Sequence, residues 1–94
     1  MIRDFSHKGL KELFVTGRTR RIDKQFHARI VERLDFLDAA RTVRDLNLPG
    51  YVLHPLVGRR KGTWAISVSG PWRMTFKFDE KKGEAFDVDF EQYH

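Results

Sequence analysis

The sequence predicts an α+β domain with N-terminal helices packed on one face of a mostly antiparallel β-sheet. Three observations predict it. In the first half, apolar residues recur at steps of three and four, the spacing of helices with one buried stripe. In the second half, apolar and polar residues alternate with period two on both sides of a Gly-Pro pair. The helical patterns all precede the strand patterns, so the helices cover one sheet face and leave the other, polar and cationic, free. The 94 residues suffice for one domain, spanning residues 1–94, and the hydrophobic share of 40% with eight Phe can fill a single core.

Taken in order, Ile2–Phe5 is short and suits an edge strand. Ser6 reads as the N-cap of a helix His7–Thr16, with Leu10, Leu13 and Phe14 on one stripe and Gly17 as the residue that stops it. Arg18–Arg21 is a basic loop. Asp23 caps the longest helix, running to about Ala40, whose stripe is Phe26, Ile30, Leu34, Leu37 and Ala40. Lys24, Arg29, Glu32, Arg33 and Asp35 fall mostly off that stripe, and His7 and His27 read as ordinary surface residues. Val43–Leu48 forms a short helical turn before Pro49-Gly50.

Tyr51–Leu56 is extended, and Pro55 confines it to an edge or a strand end. His54 falls on the side opposite Tyr51 and Leu53. Val57–Gly62 is a basic loop carrying Arg59, Arg60 and Lys61. The hairpin follows. Trp64, Ile66 and Val68 share a face before the turn; Trp72, Met74, Phe76 and Phe78 share one after it. Gly70 supplies the positive φ of a type II′ turn, and the fixed φ of Pro71 suits the next position. Arg73, Thr75 and Lys77 lie on the opposite face. After a turn at Asp79–Gly83, a last strand Glu84–Phe90 puts Phe86, Val88 and Phe90 on the apolar face. Asp87, Asp89 and Glu91 then share the face of Arg73.

Composition narrows the function. Without cysteine there is neither a disulfide nor a thiolate metal site, and a reducing compartment fits. The N-terminus has no apolar leader core, and no apolar run approaches the roughly 20 residues of a membrane span. A net charge of +5 favours an anionic partner such as nucleic acid. Phosphate-binding glycine motifs, zinc-protease motifs and nucleophile elbows are absent, and the four His are too scattered in sequence to form a metal site.

What remains is a set of polar groups at strand ends: His54, Arg73, Tyr93 and His94, with Arg59, Arg60, Lys61 and Lys77 as candidate phosphate ligands. Such a set suits RNA cleavage by attack of a ribose 2′-OH on the adjacent phosphate. That reaction needs a base, an acid for the 5′-oxygen, and a cation against the phosphorane charge, and it needs neither metal nor cofactor. Imidazole serves as base or acid, and a guanidinium fork matches phosphate oxygens. The structural alternatives are that Arg73 pairs with Asp87 or Asp89 across the sheet, that His54 is a strand-end residue, and that the terminal Tyr-His is inert.

Four blocks carry a family resemblance: IRDFSHKGLKELFVTG, DLNLPGYVLHPLVG, GTWAISVSGPWRMTFKF and DVDFEQYH. In order and spacing the chain resembles the HigB toxins of bacterial type II toxin–antitoxin modules, within the RelE superfamily. The resemblance implies a RelE-like fold and a cytoplasmic, ribosome-dependent endoribonuclease that cuts mRNA in the ribosomal A site. It implies a HigA-type helix-turn-helix antitoxin, and contact with operator DNA only through that antitoxin. His54 matches the family's first active-site histidine, Arg73 the arginine at the scissile phosphate, and Tyr93 and His94 the closing pair. Two positions depart from the pattern. Gln92 replaces an acidic residue, and Val57 replaces a lysine whose charge Arg59, Arg60 or Lys61 would have to supply. A toxin-fold protein that only binds antitoxin or RNA is the competing reading; a general nucleic-acid-binding domain is the other.

Overall fold

The structure is a computed structural model and describes residues 1–93. Two helices, α1 (Lys8–Thr16) and α2 (His27–Ala39), pack against a four-stranded antiparallel sheet. Its strands are β1 (His54–Pro55), β2 (Thr63–Ser69), β3 (Trp72–Asp79) and β4 (Glu84–Gln92), in spatial order β1-β2-β3-β4. The α+β expectation holds, and among the described residues no helix is long and apolar enough to cross a membrane.

The core lies between helices and sheet. Leu10 and Leu13 of α1, Ile30, Leu34 and Leu37 of α2, and Ile66, Met74, Phe76 and Val88 of the sheet are all buried. Trp72 stacks on Phe90, centroids 4.8 Å apart, and Phe26 meets both rings at 5.6–5.7 Å. Each fully buried side chain of this size stabilises by roughly 1.5–3 kcal/mol, so the helical stripe and the hairpin face jointly define the fold. Gly70 takes φ +53°, as the hairpin turn requires.

Several local expectations are corrected. The N-cap of α1 is His7, not Ser6: its Nδ1 accepts from the N–H groups of Gly9 (3.0 Å) and Leu10 (3.4 Å). Ser6 and His7 both donate their N–H groups to Val88 O on β4 (2.8 and 3.3 Å), so the helix starts only after His7. His27 is likewise partnered, its Nε2 lying 2.8 Å from Ile22 O. Residues Ile2 and Phe5 form isolated parallel bridges to Ala85 and Val88 rather than a strand. The long helix begins as a 3₁₀ turn, Lys24–Phe26, capped by Asp23 on the Gln25 N–H, and becomes α-helical at His27. Gly9 is forced by packing: a Cβ there would stand 2.9 Å from the Arg21 Cβ.

Arg33 does not face solvent. It is buried, its Nε donates to Ser67 O (2.7 Å), and its guanidinium lies 4.4 Å from the centre of the Tyr51 ring. The cause is the shortness of β1. With only two residues, β1 pairs with Trp64 and Ala65 alone and leaves the outer edge of β2 beyond them without a strand neighbour. Arg33 on Ser67 O, Arg29 on Val68 O (3.2 Å) and the Ser67 N–H on Tyr51 O (2.6 Å) satisfy the backbone groups left over. The Tyr51 hydroxyl in turn donates to Glu32 (2.9 Å), and burial, then that bond, push its pKa up to about 12.

Phe86 is the other correction. A β-bulge breaks the β3–β4 register between Thr75 and Lys77, and Asp87 sits in it at φ +52°. The extra residue reverses the alternation. Ala85 and Val88 therefore face the core, while Phe86 pairs with Lys77 on the polar face and lies under the guanidinium of Arg3 at 4.1 Å.

Candidate active site

The open face of the sheet carries the candidate site, and the strand register arranges it. Directly opposed residues of antiparallel strands share a face. His54, Ala65, Thr75 and Asp89 form one transverse row; Ser67, Arg73 and Glu91 form the next. His54 and Arg73, 19 positions apart in sequence, are thereby brought to one surface.

Each group is held locally. His54 Nδ1 lies 2.8 Å from Val52 O. A carbonyl only accepts, so in the neutral ring Nδ1 carries the proton and Nε2 is left as the acceptor. Val52 reaches that position at φ +50°, a strained conformation for a β-branched residue. Arg73 Nη1 donates to Gly70 O (2.6 Å) and Trp72 O (3.1 Å) at the hairpin turn. Its Nε is buried and has no hydrogen-bond partner among the described residues. Arg73 pairs with neither Asp87 nor Asp89; Lys77 takes Asp87 instead, at 3.5 Å.

Tyr93 closes the group. Its N–H donates to Pro71 O (2.6 Å), which ties the end of the chain to the hairpin turn. Its ring stands edge-on to His54, centroids 6.0 Å apart, and 5.4 Å from the Arg73 guanidinium carbon. His54, Arg73 and Tyr93 thus converge, whereas His94 lies outside the described residues.

The four flanking cations are not equivalent. Arg60 forms a bidentate ion pair with Glu91, at 2.7 and 2.6 Å. Arg59 and Lys61 are exposed and have no side-chain hydrogen bond or ion pair among the described residues. All three line a cleft with Ser6, Thr63, Thr75, Lys77 and two carboxylates, Asp87 and Asp89. Glu91 is the residue that reading the sequence missed. Alternation places it on the face of Arg73, but its partner Arg60 lies 31 positions away, a pairing no local pattern signals. Arg60, chiefly, and the Thr75 hydroxyl hold the Glu91 carboxyl below its ordinary range against the opposing effect of burial. Gln92 is in register with Trp72, so it belongs to the row beside the core rather than to that of Arg73. No group of three or more potential metal ligands occurs among the described residues.

A family model described as the RelE-like toxin of the type II toxin–antitoxin system HigB matches residues 3–94. The chain belongs to the HigB-like toxin family. It is also similar to a curated relative, the Endoribonuclease HigB of Proteus vulgaris, at 45% identity over 94 residues, covering 100% of both chains. In this chain the polar sheet face, opposite the helices, is the one bearing His54 and Arg73, with Tyr93 beside them.

Proposed function

We propose that this HigB-like toxin is a metal-independent endoribonuclease that cuts mRNA in the ribosomal A site and so inhibits translation. The observation that carries the reading is the meeting of His54 and Tyr93 at Arg73, whose Nη2 makes no hydrogen bond among the described residues and is left for a phosphate oxygen. The name of the Proteus vulgaris relative supports the same activity.

In this reaction the 2′-oxygen attacks phosphorus while the bond to the 5′-oxygen breaks. His54 takes the 2′-OH proton at Nε2, the nitrogen that the Val52 carbonyl leaves free. Tyr93, or His94 beside it, returns a proton to the departing 5′-oxygen. The products are a 2′,3′-cyclic phosphate and a 5′-OH. Arg73 offers Nη2 to a phosphorane oxygen while the turn carbonyls hold Nη1, a contribution worth roughly 10²–10³ in rate for one such donor. Arg59 and Lys61, exposed at the cleft, are the cations offered to the adjoining RNA backbone; Lys77 there is paired with Asp87. A HigA-type helix-turn-helix antitoxin binds the toxin, and operator DNA is reached only through that complex.

Cleavage on programmed ribosomes tests the assignment with His54→Ala, Arg73→Ala and a deletion of Tyr93–His94. Each variant loses activity at unchanged ribosome occupancy; full activity in all three removes the site.

A further inference from the structure

Three donors converge on Glu91. Arg60 places Nη1 on Oε1 at 2.7 Å and Nη2 on Oε2 at 2.6 Å, and the Thr75 hydroxyl also donates to Oε2. The carboxylate belongs to β4 and stands opposite Arg73. The guanidinium belongs to the 3₁₀ turn Gly58–Arg60, which contains no buried residue. The loop is closed at its base by the Leu56 N–H on Thr63 O (2.8 Å), and within the turn by the Lys61 N–H on Gly58 O (3.1 Å). The Arg60–Glu91 pair is therefore the side-chain tie between the basic turn and the sheet.

We propose that Glu91 is a positioning residue. Through Arg60 it braces the basic turn over the sheet, so that Arg59 and Lys61 form a subsite for a backbone phosphate of single-stranded RNA, next to the group at Arg73, while Lys77 stays paired with Asp87. The choice of RNA as ligand rests on the ribonuclease reading. Arg60 is not itself the phosphate ligand, because its charge is neutralised and both Nη atoms are engaged. Nor is Glu91 the base, because three donors occupy its oxygens. Arg59 and Lys61, its exposed neighbours, keep their charge for the ligand.

Two accounts of Glu91 make opposite predictions. As a bare carboxylate in a cationic cleft it repels phosphate, so its neutralisation would tighten RNA binding. As a brace it improves binding, so its neutralisation would weaken it. The probe is a short single-stranded RNA with 2′-O-methyl groups throughout, which cannot be cleaved, read by fluorescence anisotropy with the full chain. Glu91→Gln weakens binding about five-fold, Arg60→Ala weakens it as much, and the double variant is no weaker than either alone. Exchanging the partners, Arg60→Glu with Glu91→Arg, restores binding to within about two-fold. Tighter or unchanged binding by Glu91→Gln, or losses that add, overturns the brace; so does a wild-type chain that does not bind the probe. If Glu91→Gln does not fold, Arg60→Ala and the exchange carry the test. Cleavage of unmodified RNA on ribosomes, measured separately, reports the ribonuclease reading, so the two can fail independently.

Discussion

The imidazole of His54 meets the ring of Tyr93 edge-on, with centroids 6.0 Å apart and an interplanar angle of 87°. The contact joins the two-residue edge strand to the residue that follows the last strand. Arg73 reaches the same ring from the hairpin, 5.4 Å from its centre. One aromatic ring thus spaces a candidate base from a candidate phosphate clamp, and the Tyr93 N–H on Pro71 O keeps it there.

That arrangement separates the ring of Tyr93 from its hydroxyl. Tyr93→Phe keeps both aromatic contacts and removes only the proton donor. If the hydroxyl is the acid, kcat for cleavage falls roughly 10²–10⁴-fold with KM nearly unchanged. Tyr93→Ala also loses the spacing of His54 and Arg73 and raises KM as well. Single-turnover cleavage of both variants reads the difference.

Val52 stores strain next to the site. It is exposed, at φ +50°, and its carbonyl faces His54 Nδ1. A left-handed non-glycine residue costs about 1–2 kcal/mol, and the added freedom of glycine in the unfolded chain offsets about 0.5–1 kcal/mol. Val52→Gly therefore raises stability by about 0.5–1 kcal/mol in urea titrations. The same freedom loosens His54, and cleavage slows roughly three- to ten-fold.

Arg33 supports the strand end from the helical side. Arg33→Met keeps much of the apolar stem but leaves Ser67 O without its donor and removes the cation from the Tyr51 ring. An unsatisfied buried acceptor costs about 1–3 kcal/mol, so the urea midpoint falls by a corresponding amount. Arg29→Met, at a longer contact of 3.2 Å, costs less.

Glu91 sets an acid limit on the Arg60 brace. Its folded pKa is depressed below the ordinary 4.5, first by Arg60 and then by Thr75. A depressed carboxyl contributes stability that is fully present above the unfolded pKa and is lost as pH falls through the folded one. The stability difference between wild type and Glu91→Gln is therefore constant down to about pH 5 and disappears only at pH values below 4.5. Urea titrations from about pH 6 to pH 3 follow it.

The layout of the fold was legible because it rests on periodicity. The stripe Phe26, Ile30, Leu34, Leu37 and the alternation through Met74 and Phe76 both mark buried residues. The errors arise where a non-local partner overrides a local pattern. Ser6 is the better N-cap by residue type, but β4 holds the backbone of both Ser6 and His7, so the helix starts after His7, which takes the role. Phe86 fits an uninterrupted alternation, but the bulge at Asp87 turns it outward. Arg33 is a polar residue on a helix, and only the shortness of β1 gives it something to bind inside. At the site, His54, Arg73 and Tyr93 are singled out by the family resemblance as much as by their places at strand ends, and the structure brings the three together. Glu91 could not be distinguished from its acidic neighbours Asp87 and Asp89 until the basic turn was placed across it.

The chemistry of the cut ends tests the central claim most directly. Wild-type protein, ribosomes programmed with a defined mRNA, and mass spectrometry of the fragments suffice. Attack by the ribose 2′-OH predicts an upstream fragment ending in a 2′,3′-cyclic phosphate and a downstream fragment beginning with a 5′-OH, with neither formed by Arg73→Ala. Fragments carrying a 5′-phosphate and a 3′-OH, or equal cleavage by Arg73→Ala, would contradict it.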